Sequence, residues 1–179
     1  MLTTLLFAEV PGVQVERVHR DETTIHVEVR TTRRTARCAQ CRRRSRRVHG
    51  HYRRTLRDLS WCGTRVVFHL QMRRFVCPRP HCPRRTFSER VPALVAPHAR
   101  RTLRLTAQLQ RTGFDLGGTP GVRHLAAEGT PVSRRTLLRL VRAAPLPPVG
   151  LVRILGVDDW ARRRGRCAGR LPHPLHKLY

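Results

Sequence analysis

The chain has 179 residues, 40% hydrophobic and only 5% aromatic, which suits one ordinary domain or a few small ones with modest, divided cores. Its formal net charge is +26 and its isoelectric point about 11.9, because 37 basic residues, all arginine except Lys177, face 11 acids. Such a chain repels itself and attracts polyanions, so nucleic acid is the expected partner. No apolar run approaches the length of a membrane span, and the opening MLTTLLFAEVPG lacks the basic start of a signal peptide. A cytoplasmic protein is expected, with six cysteines that do not serve as disulfide staples.

Residues 12–31 predict a β-hairpin, with Val13 and Val15 alternating, Arg20-Asp21-Glu22 at the turn, and Ile25, Val27 and Val29 on one face of the return strand. Residues 31–57 then carry eleven arginines and no acid. Hydrophobic burial cannot order such a block, so another source of order is expected, or mobility. From Arg65 the alternation returns, with Val66, Phe68, Leu70 and Met72 on one face and Arg65, His69, Gln71 and Arg73 opposite.

Two short cysteine pairs flank that region, Cys38 with Cys41 in CAQC and Cys77 with Cys82 in CPRPHC. Two such pairs separated by strands predict a four-thiolate zinc site built from two knuckles, since each pair can wrap a backbone turn around one tetrahedral ion. Zinc supplies folding energy that needs no core, which the arginine block lacks. The ion is expected to be structural, because a catalytic zinc keeps an open position and no acid lies close to either pair. His49, His51 and His81 read as exposed, Cys62 as a small residue packed at a turn, and Cys167 has no partner at ligand spacing.

After Pro97 the period becomes helical. Leu105 and Leu109 stand one turn apart with Leu103 beside them, and Gly117-Gly118 breaks the helix. A second helix is expected over Gly121–Glu128 with Val122, Leu125 and Ala126 inward, and small Ala126 allowing close packing. Gly129 to Val132 turns the chain. Ser133 then caps a third helix, with Val132 stapled on Leu137, and Leu137, Leu138 and Val141 inward. Residues 97–143 thus fit a helix-turn-helix module, in which Ser133, Arg134, Arg135, Thr136, Arg139 and Arg142 would meet double-stranded DNA. Arg42, Arg43 and Arg44 on the first knuckle are further expected contacts. Residues 144–150 are a proline-rich linker, and Arg153–Asp159 reads as a buried strand delivering Asp158 and Asp159.

The phrases CAQC, RVHGHYRRTLRDLSW, RRFVCPRPHCPRRTFSER, PVSRRTLLRLVR and RILGVDDWARRRG, which run through most of residues 30–165, resemble bacterial insertion-sequence transposases of the ISL-three type. The resemblance implies an α+β chain: an N-terminal hairpin (1–34), a zinc-ribbon-like finger (35–92), a three-helix helix-turn-helix bundle (97–143) and, over 151–179, the first strand of a ribonuclease-H-like catalytic domain. It implies a nucleoid-associated protein that binds an element's terminal repeats, alone, as a homodimer or beside intact transposase. It also implies that the family's strand transfer uses Mg, with Asp158 at the position of the first catalytic carboxylate.

The sequence departs from that pattern in three places. Cys62 replaces a glycine, and Ala126–Gly129 is one residue short before the turn. The likeness also ends near Gly165, where Pro172 and Pro174 argue against a second core strand. No acid follows Asp159, and two-metal chemistry needs several carboxylates. A fragment that binds DNA, with an orphan first strand and an idle Asp158, is therefore expected. Two alternatives remain: an active transposase completed by a second chain or a recoded frame, and a zinc-ribbon RNA-binding protein, for which no aromatic stacking platform is evident.

Overall fold

The computed structural model describes residues 10–145 in full and the backbone of two further strands, 155–163 and 166–174. The chain through Ala144 forms one compact unit, and the chain from Pro145 a second.

In the first unit, β1 (Val13–Arg20) and β2 (Thr24–Thr31) form the expected antiparallel hairpin. Its turn is fixed by Asp21, whose Oδ1 accepts from the backbone N–H of Thr23 (2.8 Å) and Thr24 (2.7 Å). Two short strands, β3 (Ala36–Arg37) and β4 (Arg44–Ser45), pair on their own. The long β5 (Val48–Trp61) and β6 (Thr64–Val76) make an antiparallel ribbon, and β7 (Thr86–Ser88) returns along the end of β6. The sheet order is β1-β2-β6-β5, with β2 parallel to β6; β2 and β7 share one side of β6, and β5 takes the other. The expectation that hydrophobic burial cannot order the arginine block is therefore corrected for its second half. Residues 48–57 lie in β5, laddered to β6 with one register shift between Val48 and Gly50, and Leu56 is fully buried.

The alternation on β6 works as read. Val66, Phe68, Leu70 and Met72 are buried, against Val27 and Val29 of β2 and Leu56 of β5. Val91, Leu94 and Val95, from the segment after β7, close this core. Each such side chain contributes about 1.5–3 kcal/mol of burial. The β5–β6 turn is Trp61-Cys62-Gly63-Thr64, with φ of 45° at Cys62 and 74° at Gly63, the two left-handed residues of a tight hairpin. Cys62, at the tip of this turn, is exposed rather than packed.

Three helices follow: α1 (Leu103–Leu116), α2 (Thr119–Ala127) and α3 (Arg134–Arg142), around buried Leu105, Leu109, Leu125 and Leu137. Thr102 caps α1, its hydroxyl accepting from the N–H of Leu105 (3.2 Å). Leu103 does not join the core but is 41% exposed, since it sits on the first helical turn. α2 starts two residues earlier than read, with Pro120 in its first turn, where no N–H is missed. Its C-terminus is a left-handed glycine cap: Gly129 (φ 73°) donates to the Ala126 carbonyl and Thr130 to the Leu125 carbonyl. Ala126 is exposed and is not the small residue that lets the helices meet. That role falls to Gly121, where a Cβ would stand 3.0 Å from Leu137 and 3.4 Å from the Thr112 carbonyl, and to Gly113 of α1, where one would stand 2.5 Å from Val141. Ser133 caps α3 through the N–H of Thr136 (3.2 Å), and Val132 packs on the Leu137 cluster as the staple predicts. Leu137 is fully buried, Leu138 and Val141 only half so, and Leu140 joins the core.

Sheet and helices are joined through β5. The Arg57 N–H donates to the Arg100 carbonyl, and the Thr102 N–H to the Arg57 carbonyl. Asp58, 3% exposed, accepts from the Thr102 hydroxyl (2.6 Å) and from Nε and Nη2 of Arg104. At the far end of the ribbon, Ser60 donates to the Glu128 carbonyl, and Arg57 Nη2 to the Pro131 carbonyl (2.9 Å).

In the second unit, β8 (Leu155–Arg163) pairs antiparallel with β9 (Arg166–Pro174). The expected orphan strand is thus corrected to a paired one. Pro172 and Pro174 stand opposite Val157 and Leu155; in a two-stranded ladder each strand keeps one free edge, where a missing N–H costs little. The linker residues 146–150 and the side chains of Asp158, Asp159 and Cys167 lie outside the described residues.

Candidate metal centre and nucleic-acid interface

The first knuckle is the turn between β3 and β4. The Cys38 N–H donates to the Arg43 carbonyl (2.9 Å) and the Arg42 N–H to the Cys38 carbonyl (3.0 Å), which forces Arg42 into a left-handed conformation (φ 63°). The second knuckle follows β6. The Cys77 N–H donates to the Arg85 carbonyl (2.8 Å) and the Cys82 N–H to the Arg79 carbonyl (3.2 Å). Phe75 and Phe87, stacked 6.0 Å apart, are the only large apolar side chains in the small cluster that holds the four cysteines. So small a core leaves the finger dependent on another source of stability.

The four sulfurs converge. Cys38 and Cys82 lie 3.9 Å apart, Cys41 and Cys77 3.5 Å, and all four within 4.8 Å of one another. A disulfide needs sulfurs about 2 Å apart. A tetrahedral zinc with Zn–S of about 2.3 Å separates its sulfurs by about 3.8 Å, so the cluster fits that ion. The thiols also influence one another. Burial raises the Cys38 thiol, but the N–H groups of Cys41 and Gln40, with the Cys41 and Cys77 thiols, outweigh it and bring it down to about 7. The Arg79 N–H favours a Cys77 thiolate, yet burial and the neighbouring thiols push that group up to about 12. The Cys38 thiolate thus forms easily while Cys77 resists ionising. A divalent cation between them is what allows all four to ionise together. Among the described residues the ligand cluster is made of four thiols alone, which suits a closed, structural site. His49, His51 and His81 are exposed, as read.

The arginines singled out from the sequence fall on two surfaces. Arg42, Arg43 and Arg44 are exposed on the first knuckle, and Arg134, Arg135, Arg139 and Arg142 on the outer face of α3. Ser133 and Thr136 are engaged in the cap, their hydroxyls 2.9 Å apart. The structure adds cations that periodicity did not reveal. Arg57 of β5 is held below its usual pKa by burial and by Arg65 and Arg101, and Arg101 by burial and by Arg139. The cationic face of α3 therefore continues onto the sheet. Near the finger, Arg33, Arg34, Arg37 and Arg90 line a cleft with Arg42 and Arg44. The signal for the first three was present, an acid-free arginine run beside a cysteine pair, but Arg90 reaches the cleft only through the fold.

Among the described residues no helix is long and apolar enough to cross a membrane. No curated protein and no solved structure matches the chain. Residues 34–82, which hold all four clustered cysteines, match the family described as the zinc-finger of transposase IS204/IS1001/IS1096/IS1165, so this stretch is similar to a transposase zinc finger.

Proposed function

We propose that this chain is the DNA-binding part of an insertion-sequence transposase: a zinc-ordered finger and a helix-turn-helix formed by α2 and α3 grip the terminal repeats of an element. The observation that carries this reading is the four-thiol cluster inside the segment that matches the transposase finger. The capped start of α3, with Arg134 and Arg135 exposed and Arg139 one turn on, supports it, since recognition helices lead with their N-terminal residues. So does the net charge of +26. Zinc, when bound, supplies folding energy to the finger. The protein's own residues do the binding, guanidiniums meeting phosphates and, from α3, guanine edges in the major groove.

Asp158, on β8, is read as the counterpart of the family's first catalytic carboxylate, idle in these 179 residues, which hold no acid after Asp159. Mg belongs to the family's catalytic domain and has no part in binding. The test is fluorescence anisotropy on end-repeat duplexes of an ISL3-type element against shuffled duplexes of equal length. The end sequence should bind more tightly, and Arg135→Ala and Arg139→Ala should each remove about 1–3 kcal/mol of that discrimination. Equal affinity for end and shuffled duplex would refute terminal-repeat recognition. Strand joining by the chain alone would refute the idle role of Asp158.

A further inference from the structure

The cleft beside the first knuckle has a volume of about 700 Å³ and is walled by six arginines: Arg33, Arg34, Arg37, Arg42, Arg44 and Arg90. Its one acid, Glu89, is already matched. It is 6% exposed and accepts from Arg73 Nη2 (3.1 Å), from the Arg73 backbone N–H (2.6 Å) and from the Thr31 hydroxyl. None of the six cleft arginines forms an ion pair among the described residues. Folding alone gives no reason for this arrangement. Arg37 and Arg44 stand directly opposite one another across the β3–β4 ladder, a like-charge pair that weakens the strands it joins. The knuckle's hydrogen bonds hold that pair, and left-handed Arg42, at the cleft wall.

We infer that this cleft is a phosphodiester clamp, which takes consecutive phosphates of one strand of the duplex without reading its sequence, and so positions the finger while α3 reads bases. The inference rests on the DNA-binding reading and names a surface of its own for the backbone. Guanidinium forks match phosphate oxygens two at a time, and six of them facing one concavity need closely spaced anions to relieve their repulsion. Free polyphosphate has the same chemistry, but the cleft is open to solvent rather than enclosed and so leaves room for a continuing chain.

The test uses the full zinc-loaded chain and the double variant Arg37→Gln, Arg44→Gln. Both positions are exposed, so the variant should keep its zinc and its melting temperature, or gain slightly. Affinity for a shuffled 30-bp duplex is measured from low to moderate salt. Loss of two phosphate contacts makes the slope of log K against log salt shallower by about 2, with end-repeat discrimination kept. An unchanged slope, with the wild type still binding duplex, overturns the clamp and leaves the DNA-binding reading standing. No duplex binding by the wild type removes both. Inorganic tripolyphosphate is the second arm. Competition only at concentrations where it acts as ordinary salt supports the clamp; stoichiometric binding at micromolar concentration, lost in the variant while the duplex slope is unchanged, assigns the cleft to a free anion and overturns it.

Discussion

Asp58 and His69 show how single polar residues are handled on this sheet. Asp58 is buried with three donors, and Arg104, which supplies two of them, keeps 39% of its side chain in solvent. Arg104→Ala strands a buried carboxylate. Discounted for that exposure, the loss should be about 2–3 kcal/mol in denaturant unfolding, and a loss under about 0.5 kcal/mol would show that water replaces the guanidinium. His69 donates to or accepts from His26 (Nε2 to Nδ1, 2.9 Å) within a stack that His19 extends, and His26 in turn holds the Asp21 carboxyl at about 2. Burial, then Arg53 and His26, hold His69 below its ordinary 6.5, with Glu28 opposing. A depressed imidazole pKa stabilises the fold above 6.5 and loses that contribution as pH falls toward the folded value. The melting temperature of zinc-saturated protein should fall from about pH 7.5 to about 5.5, and His69→Gln should flatten that fall; parallel curves would exclude His69. Neither residue was legible in the sequence as more than a polar position on a strand. Their partners, Arg104 and His26, lie dozens of residues away in the chain, and only the register brings them together.

At the scale of elements, the joint between the β5–β6 ribbon and the α2–α3 turn governs how finger and helices are held. The ribbon tip comes so close that a Cβ on Gly129 would lie 1.8 Å from the Gly63 carbonyl oxygen. Gly129 also carries the left-handed φ of the α2 cap. Gly129→Ala meets both penalties and should cost about 2–4 kcal/mol, read by chemical denaturation. A cost below about 1 kcal/mol would mean the tip retreats freely. The glycine was legible as a turn; the backbone pressed against it was not, because periodicity describes an element's own faces and says nothing of its neighbour. Ala126 and Gly121 teach the same lesson, since both are small and only the helix phase decides which one faces Leu137. The knuckles, the caps at Thr102 and Ser133 and the β6 alternation needed no such context. Each is written in residues a few positions apart. β5 was hidden because its first half, Val48 to Thr55, is polar apart from Val48 and Tyr52 and gives no period, although Leu56 and Asp58 do alternate inward.

At the scale of the whole molecule, a charge of +26 is carried by a chain whose finger has little apolar core of its own. The sheet and the helices each have an independent cluster, around Phe68 and around Leu137. Metal removal should therefore loosen the finger first and leave those cores standing, unlike a small finger that unfolds entirely. Of the cleft arginines, Arg37, Arg42 and Arg44 hang on the first knuckle, so these three should lose their arrangement with it. The most direct measurement follows one duplex-binding curve through chelation and zinc re-addition, with Cys38→Ser and Cys62→Ser beside the wild type. Wild type and Cys62→Ser should lose affinity and regain it with zinc, while Cys38→Ser stays weak throughout. Identical affinity with and without zinc would contradict a metal-ordered finger as the source of the DNA grip.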